Sequence, residues 1–154
     1  LQANAYGRAI RSHRFAKPFC MGTLFWQLNE AWPGISWSAL DYELNEKPVW
    51  KEIKKYYQPI ILWMETERNE IVIKGVSDLF SDTTITLHLE VKNNSGHQIS
   101  DTTLQAIFKS NTSEVLFSEK QNLLFKNNRL EDVELFLWDE KNNLMDKLLS
   151  HKSK

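Results

Sequence analysis

The N-terminal part of the chain begins with mainly apolar residues at helical spacing. Their positions are Ala3, Tyr6, Ile10 and His13. Pro18 ends this pattern and is followed by an apolar run at Met21–Leu28. Because the run shows no clean polar alternation, it predicts a parallel strand covered on both faces. A single parallel strand has no ladder partners, so we expect flanking strands outside this sequence.

A second helix is predicted to begin at Pro48. Proline is tolerated at the first helical position, where the missing N–H would have had no intrahelical partner. The apolar residues that follow form the predicted buried stripe, namely Val49, Trp50, Ile53 and Tyr57. The predicted order of the N-terminal part is therefore helix, strand, long loop and helix.

The second part of the chain changes to a period of two. Apolar side chains at Ile85, Leu87, Leu89 and Val91 alternate with polar ones at Thr84, Thr86, His88 and Glu90. Turn signals at Asn69, Asn93–Gly96, Asn111, Asn127–Asn128 and Asn142–Asn143 separate further runs, among them IVIKGV, LQAIF, EVLF and VELFLW. Six or seven short strands spaced in this way predict an immunoglobulin-like β-sandwich.

Composition places the boundary between the two parts near Pro59. All four prolines and four of the six tryptophans lie at or before this residue. Residues 1–58 hold eight Lys/Arg against five Asp/Glu, and the later residues hold eleven against fifteen. We therefore predict one domain at 1–58 and a second at 59–154.

Charge and cysteine content exclude several classes of partner. The net charge of −1 and the lack of a basic cluster with interleaved aromatics argue against nucleic acid. The longest apolar runs, such as Pro59–Met64, are far shorter than the roughly 20 residues that span a bilayer, so we expect no membrane partner. A single cysteine, Cys20, excludes an internal disulfide, and the four histidines lack metal spacing. We predict no metal and no cofactor.

The stretch from Phe25 to Tyr42 carries the candidate chemistry. It holds three tryptophans within twelve residues, Trp26, Trp32 and Trp37. A flat indole matches the C–H face of a pyranose ring, and neighbouring Asn, Gln and Asp side chains can hydrogen-bond sugar hydroxyls. The end of a parallel strand in an α/β barrel is also where active sites form. The pattern is compatible with a sugar-binding loop, although each tryptophan taken singly is more often a core residue than a sugar platform.

This stretch resembles a known family. The segment CMGTLFWQLNEAWPGISWSALDY, Cys20–Tyr42, is similar to the last barrel strand and loop of glycoside hydrolase family 2 β-mannosidases. The segment Lys47–Ile60 is similar to their final barrel helix and its exit into a β-sandwich. The resemblance implies that residues 1–58 are the last strand and helices of a (β/α)8 TIM barrel and that an immunoglobulin-like domain follows. Glu30 departs from the family, which more often has Asp at this position.

The resemblance also implies a function and a set of residues. These enzymes release terminal non-reducing β-D-mannose with retention, through two glutamates on the fourth and seventh barrel strands, so we expect no catalytic residue in this chain. Trp26 would form the floor of the −1 subsite, Asn29 would contact a hydroxyl or hold the loop, and Trp37 would line the rim. Trp32 is assigned to loop packing. The implied partners are a mannose-containing oligosaccharide and the upstream barrel of the same protein.

Alternatives stay open at this point. Another family 2 exo-β-glycosidase, a β-galactosidase or exo-glucosaminidase, would share most of the pattern, although Gln27 favours a mannosidase. A non-catalytic sandwich could bind carbohydrate or brace the barrel. Bracing is favoured because the sandwich aromatics are predicted to point inward, these being Trp63, Phe108, Phe117, Phe125, Phe136 and Trp138. Glu30, Asp41 and Glu43 are interpreted as loop hydrogen-bonding residues. The family implies a periplasmic or secreted location in bacteria and a lysosomal one in eukaryotes.

Overall fold

The chain forms two units. The computed structural model describes residues 1–126, 129, 133–139, 141 and 143–149. The units extend over Leu1–Ile61 and Leu62–Lys154. Each is described separately below.

The first unit is built on two helices, α1 (Gln2–Phe15) and α2 (Pro48–Tyr56). Their close approach is possible because Gly7 of α1 has no side chain: a Cβ there would lie 2.8 Å from Glu52 Oε2 and 2.9 Å from Tyr56 Cε2. Arg14 of α1 is buried and donates hydrogen bonds to the carbonyl oxygens of Tyr56 and Gln58. These bonds satisfy carbonyls at the C-terminal end of α2, which have no intrahelical partner.

The predicted start of α2 at Pro48 is confirmed, but the predicted burial of Trp50 and Tyr57 is wrong. Tyr56, not Tyr57, completes the buried face of α2, because the helix ends at Tyr56 and the following residue leaves the helical period. His13 is exposed and shares a hydrogen bond of 3.0 Å between its Nδ1 and Thr23 Oγ1, while Arg14 occupies the buried position.

The predicted strand at Met21–Leu28 is also wrong. The segment has no regular secondary structure, and it leads to a single parallel bridge between Asn29 and Leu40. A strand is defined by its ladder partners, and the described part of the chain offers this segment none. The predicted coverage on both faces is wrong as well, because Met21, Leu24 and Leu28 are 58%, 99% and 50% exposed.

The second unit is a two-sheet β-sandwich. Its elements are β1 (Ile60–Glu67), β2 (Glu70–Ser77), β3 (Thr83–Asn93), β4 (Gln98–Phe108), β5 (Ser113–Lys120), α3 (Gln121–Phe125), β6 (Val133–Asp139) and β7 (Leu144–Leu149). One sheet has the strand order β1-β2-β5 and the other β4-β3-β6-β7. Strands β2 and β5 pair antiparallel, as do β3 with β4, β3 with β6 and β6 with β7.

Turn chemistry explains the hairpin between β3 and β4. Asn93 Oδ1 accepts hydrogen bonds from the backbone N–H groups of Ser95 and His97, at 3.0 and 2.9 Å. Gly96 adopts a positive φ of 80°, a conformation that glycine reaches without steric cost. The turn signal at Asn93–Gly96 is thus confirmed. The predicted turn at Asn127–Asn128 lies outside the described residues.

The core lies between the two sheets. Leu87, Leu89 and Val91 of β3 are buried, which confirms the predicted alternation. Gly75 of β2 marks a close approach of the sheets, because a Cβ there would lie 2.5 Å from the Phe108 ring of β4. A further link joins the outermost strands of the two sheets, where the Met64 N–H of β1 donates to Asp146 Oδ2 of β7 at 2.8 Å.

The predicted inward orientation of the sandwich aromatics is only partly correct. Trp63, Phe108 and Phe125 are buried. In β6 the buried residues are Val133, Leu135 and Leu137. Because successive side chains of a strand point to opposite faces, Phe136 and Trp138 lie on the outer face, where their rings stack with centroids 6.0 Å apart.

Candidate functional site

The tryptophan-rich loop of the first unit encloses a cavity of about 380 Å³. Its lining residues are Trp26, Gln27, Glu30, Ala31, Trp32, Gly34, Ile35, Ser36 and Trp37. The three tryptophans are 72%, 73% and 62% exposed in chain order, so none belongs to the core of this unit. Exposed indoles around a small cavity are suited to an apolar ring face.

The α1 side of the loop is fixed by aromatic residues. Phe25 packs between Tyr6, with ring centroids 6.2 Å apart, and Tyr57, with centroids 6.5 Å apart. Tyr57 Oη donates to the Thr23 carbonyl oxygen at 2.6 Å, and burial raises the pKa of this phenol. These contacts hold the segment that leads directly into Trp26. The peptide bond between Trp26 and Gln27 is cis.

Helix α1 also contacts the two candidate tryptophans directly. Tyr6 Oη lies 2.9 Å from the carbonyl oxygen of Trp26 and 3.4 Å from that of Trp37. Gln2 Nε2 donates to the same Trp37 carbonyl at 2.6 Å. One helix therefore positions the backbone of both tryptophans, although they lie eleven positions apart in the sequence.

A polar network holds the opposite side of the loop. Glu30 is buried, and its Oε1 accepts hydrogen bonds from Ser36 Oγ at 3.1 Å, Ser38 Oγ at 3.0 Å and Lys47 Nζ. Lys47 Nζ also donates to Ser38 Oγ at 2.8 Å and to the Ser36 carbonyl at 3.2 Å. Lys47 is the N-cap residue of α2. The network thus ties the loop to the beginning of that helix.

Hydrogen bonds in the loop lower the pKa of two carboxylates, Glu30 and Asp41. The hydrogen bond from Lys47, followed by those from the two serines, lowers the pKa of Glu30. The side-chain and backbone hydrogen bonds of Asn45 lower the pKa of Asp41. An acid catalyst needs a pKa raised toward neutrality, so neither carboxylate has the environment of a proton donor.

The structure places two of the three predicted site residues together. Trp26 and Trp37 line the same cavity, whereas Asn29 lies outside the set of lining residues. Asn29 instead donates from Nδ2 to the Glu30 carbonyl at 3.1 Å and pairs with Leu40 through the backbone. The sequence reasoning missed the contribution of Lys47, for which its N-cap position before Pro48 was the available signal.

The described residues form neither a metal-binding cluster nor a membrane-spanning helix. No group of three or more His, Cys, Asp or Glu side chains among them is arranged to hold a metal ion. No helix in the described ranges has the length and apolarity needed to cross a membrane.

Comparison with known proteins gives a consistent picture. The β-mannosidase of the goat, Capra hircus, is 32% identical over 112 residues, which are 71% of this chain and 13% of the goat protein. β-Mannosidase B of Emericella nidulans is 37% identical over 51 residues, 33% of this chain and 6% of that protein. The chain thus spans only a small share of these relatives. No protein-family model matches it.

Solved structures share the fold. The β-D-mannosidase of Dictyoglomus thermophilum superposes with a TM-score of 0.77 at 22% identity, covering 95% of this chain and 18% of that one. An exo-chitosanase from Amycolatopsis orientalis superposes with a TM-score of 0.65 at 13% identity, covering 96% and 18%. At these identities the similarity concerns the fold alone.

The sandwich, the loop and the comparisons together define a part of a family 2 glycoside hydrolase. Within that family the chain belongs to the β-mannosidase-like proteins, of which it forms a C-terminal part. The resemblance read from the residues of Cys20–Tyr42 is confirmed.

Proposed function

We propose that the complete protein is a retaining β-mannosidase that hydrolyses terminal non-reducing β-D-mannose residues of oligosaccharides. The observation that carries the proposal is the cavity between Trp26 and Trp37, formed within the segment that resembles the β-mannosidases. In this proposal residues 1–58 are the last strand and helices of a (β/α)8 barrel, and the immunoglobulin-like domain follows from residue 59. The strand order of the two sheets is consistent with such a domain.

Within this function the chain binds the sugar and leaves the bond-breaking steps to residues elsewhere in the protein. Retaining glycosidases use two carboxyl groups about 5–5.5 Å apart, one as acid/base and one as nucleophile. In the family both are glutamates outside these residues. The Glu30 carboxylate is engaged by Lys47, Ser36 and Ser38, which leaves it poorly placed for either role.

Trp26 is proposed as the stacking face of the −1 subsite and Trp37 as its rim. The indole of Trp26 offers an apolar plane to the C–H face of the mannose ring while the ring flattens toward its oxocarbenium-like transition state. Tyr6 and Gln2 hold the backbone at both tryptophans, so the two indoles keep a defined separation.

The test uses two proteins, the 154-residue chain and the product of the complete gene. The complete protein is expected to hydrolyse an aryl β-mannoside with retention, detected by NMR of the first-formed anomer, and faster than the aryl β-galactoside and β-glucosaminide. The 154-residue chain is expected to show no turnover. Preference for either other glycoside would assign the protein to that activity. Turnover by the chain that disappears in Glu30→Gln would overturn the assignment of the catalytic groups.

A further inference from the structure

The outer face of the four-stranded sheet carries a compact group of aromatic and polar residues. Strand register places His88 of β3 opposite Trp138 of β6, and Glu90 of β3 opposite Phe136. On the other side of β3, Glu90 lies opposite Asp101 of β4. Since alternate residues of neighbouring strands share a face, these five side chains form one continuous surface.

This surface contains a shallow hollow that is open to solvent. His88, Glu90, Asp101 and Trp138 line a cavity of about 340 Å³ in the second unit. The cavity is distinct from the one between Trp26 and Trp37, which lies in the first unit. Its size falls at the lower end of small-molecule sites in proteins, about 300–1,000 Å³.

Two groups that line the hollow have unused hydrogen-bonding capacity. Within the described part of the chain, the indole N–H of Trp138 and the carboxylate of Asp101 have no hydrogen-bond partner in the protein. His88 uses Nδ1 toward Thr103 Oγ1 at 3.2 Å, which leaves Nε2 available. One donor, one acceptor and one group that can serve as either therefore face the same space.

The charged neighbours are already paired. Glu90 Oε2 lies 2.9 Å from Lys92 Nζ, and Lys147 Nζ lies 3.2 Å from Glu134 Oε2. Both ammonium groups also lie over the Phe136 ring, at 5.2 and 4.5 Å from its centroid. Asp101 is thus the remaining acidic acceptor in the hollow, and a single carboxylate suits neutral hydroxyl donors better than a cation.

We propose that this hollow is a second carbohydrate-binding site, one that takes a short oligosaccharide of neutral pyranoses. The ring of Trp138, supported from behind by Phe136, contacts the apolar face of one sugar. Asp101 accepts hydrogen bonds from its hydroxyls, and the indole N–H and His88 Nε2 contact its oxygens. The proposal concerns binding alone, because the Glu90 carboxylate opposite Asp101 is paired with Lys92 Nζ at 2.9 Å.

The experiment titrates the isotope-labelled 154-residue chain with mannotriose, cellotriose and chitotriose in separate NMR series. The indole N–H signal of Trp138 reports on the site directly, and that of Trp26 reports on the first cavity. We expect a saturable shift at Trp138 and at the amides of His88 and Asp101 with at least one of the three sugars.

Matched variants separate binding from folding. Asp101→Ala removes an exposed acceptor and Trp138→Phe removes the indole N–H while keeping an aromatic ring, so neither is expected to unfold the sandwich. Asp101→Ala should weaken binding about tenfold, the equivalent of about 1.4 kcal/mol. Phe80→Ala, which truncates another exposed aromatic of the same unit, should leave affinity unchanged.

Three results would overturn the site. One is the lack of any shift at Trp138 with all three sugars at about 10 mM, a concentration far above the dissociation constant of a useful site. A second is binding that Asp101→Ala and Trp138→Phe leave unaltered. Saturation in the 154-residue chain but not in the complete protein would also refute it, since another part of the protein would then cover the hollow. The result is independent of the mannosidase proposal, which depends on Trp26.

Discussion

Truncation of Trp26 to Ala separates a sugar-binding role from a packing role. The side chain is 72% exposed. A fully buried tryptophan hides up to about 250 Å², so the change removes only about 70 Å² of buried surface. At about 25 cal/mol per Å² this corresponds to less than about 2 kcal/mol of unfolding free energy. A tryptophan in a core would cost about 3–5 kcal/mol.

The stability measurement is urea unfolding of the 154-residue chain, followed by circular dichroism. Ile10→Ala provides the control in the same unit, because Ile10 is 1% exposed and its truncation should cost about 2–5 kcal/mol. A loss of 3 kcal/mol or more for Trp26→Ala would show that Trp26 acts as a core residue.

The activity measurement uses the complete protein with an aryl β-mannoside. Trp26→Ala should lower kcat/KM about a hundredfold, equivalent to about 2–3 kcal/mol of lost transition-state contact. If the contact between Trp26 and the sugar tightens as the ring flattens, Trp26→Ala lowers kcat and raises KM. A contact of equal strength in the ground state and the transition state would change KM alone. Near-normal kcat/KM per folded molecule would remove Trp26 from the site.

Three further predictions concern the units themselves. Gly75→Ala should destabilise the sandwich by about 1–3 kcal/mol in urea unfolding, because its methyl group overlaps the facing ring; an unchanged midpoint would contradict the close approach of the sheets. The lowered pKa of Glu30 means that its pair with Lys47 stabilises above the ordinary value of 4.5 and is lost as pH falls through the lower folded value. Lys47→Met should therefore destabilise more at about pH 7 than at about pH 3, and equal losses would refute the pairing. In hydrogen exchange, amides of residues 23–28 should exchange faster than those of residues 84–91, and equal protection would show that the irregular segment is ordered by other contacts.

The sequence correctly predicted the elements that are determined by residues close together in the chain. The start of α2 at Pro48 follows from the restricted geometry of proline, and β3 follows from strict alternation over its buried residues. The prediction of a strand at Met21–Leu28 failed because a strand depends on ladder partners, which the described chain does not supply to this segment. The network around Glu30 joins residues 17 positions apart, so no short window contains it.

The faces of β6 show a signal that the sequence did contain. Glu134 shares its parity with Phe136 and Trp138, while the opposite set is aliphatic at Val133, Leu135 and Leu137 and ends with Asp139 at the strand terminus. A charged residue inside the strand indicates the outer face, so the parity of Glu134 predicts the outward orientation of both rings. Attention to aromatic character alone led to the wrong prediction. In the tryptophan loop the residue type was informative, but the separation of Asn29 from the cavity depends on backbone geometry.

The hydrogen bond between the Met64 N–H and Asp146 has a consequence for self-association. β1 and β7 are the terminal strands of their sheets, and the unpaired backbone groups of a terminal strand can recruit a strand from another molecule. The Asp146 carboxylate occupies one of the donors that such pairing would use. It also places a negative charge beside that donor, which an incoming backbone carbonyl would have to approach. The hydrogen bond between the Met64 N–H and Asp146 therefore also disfavours open-ended polymerisation through β1.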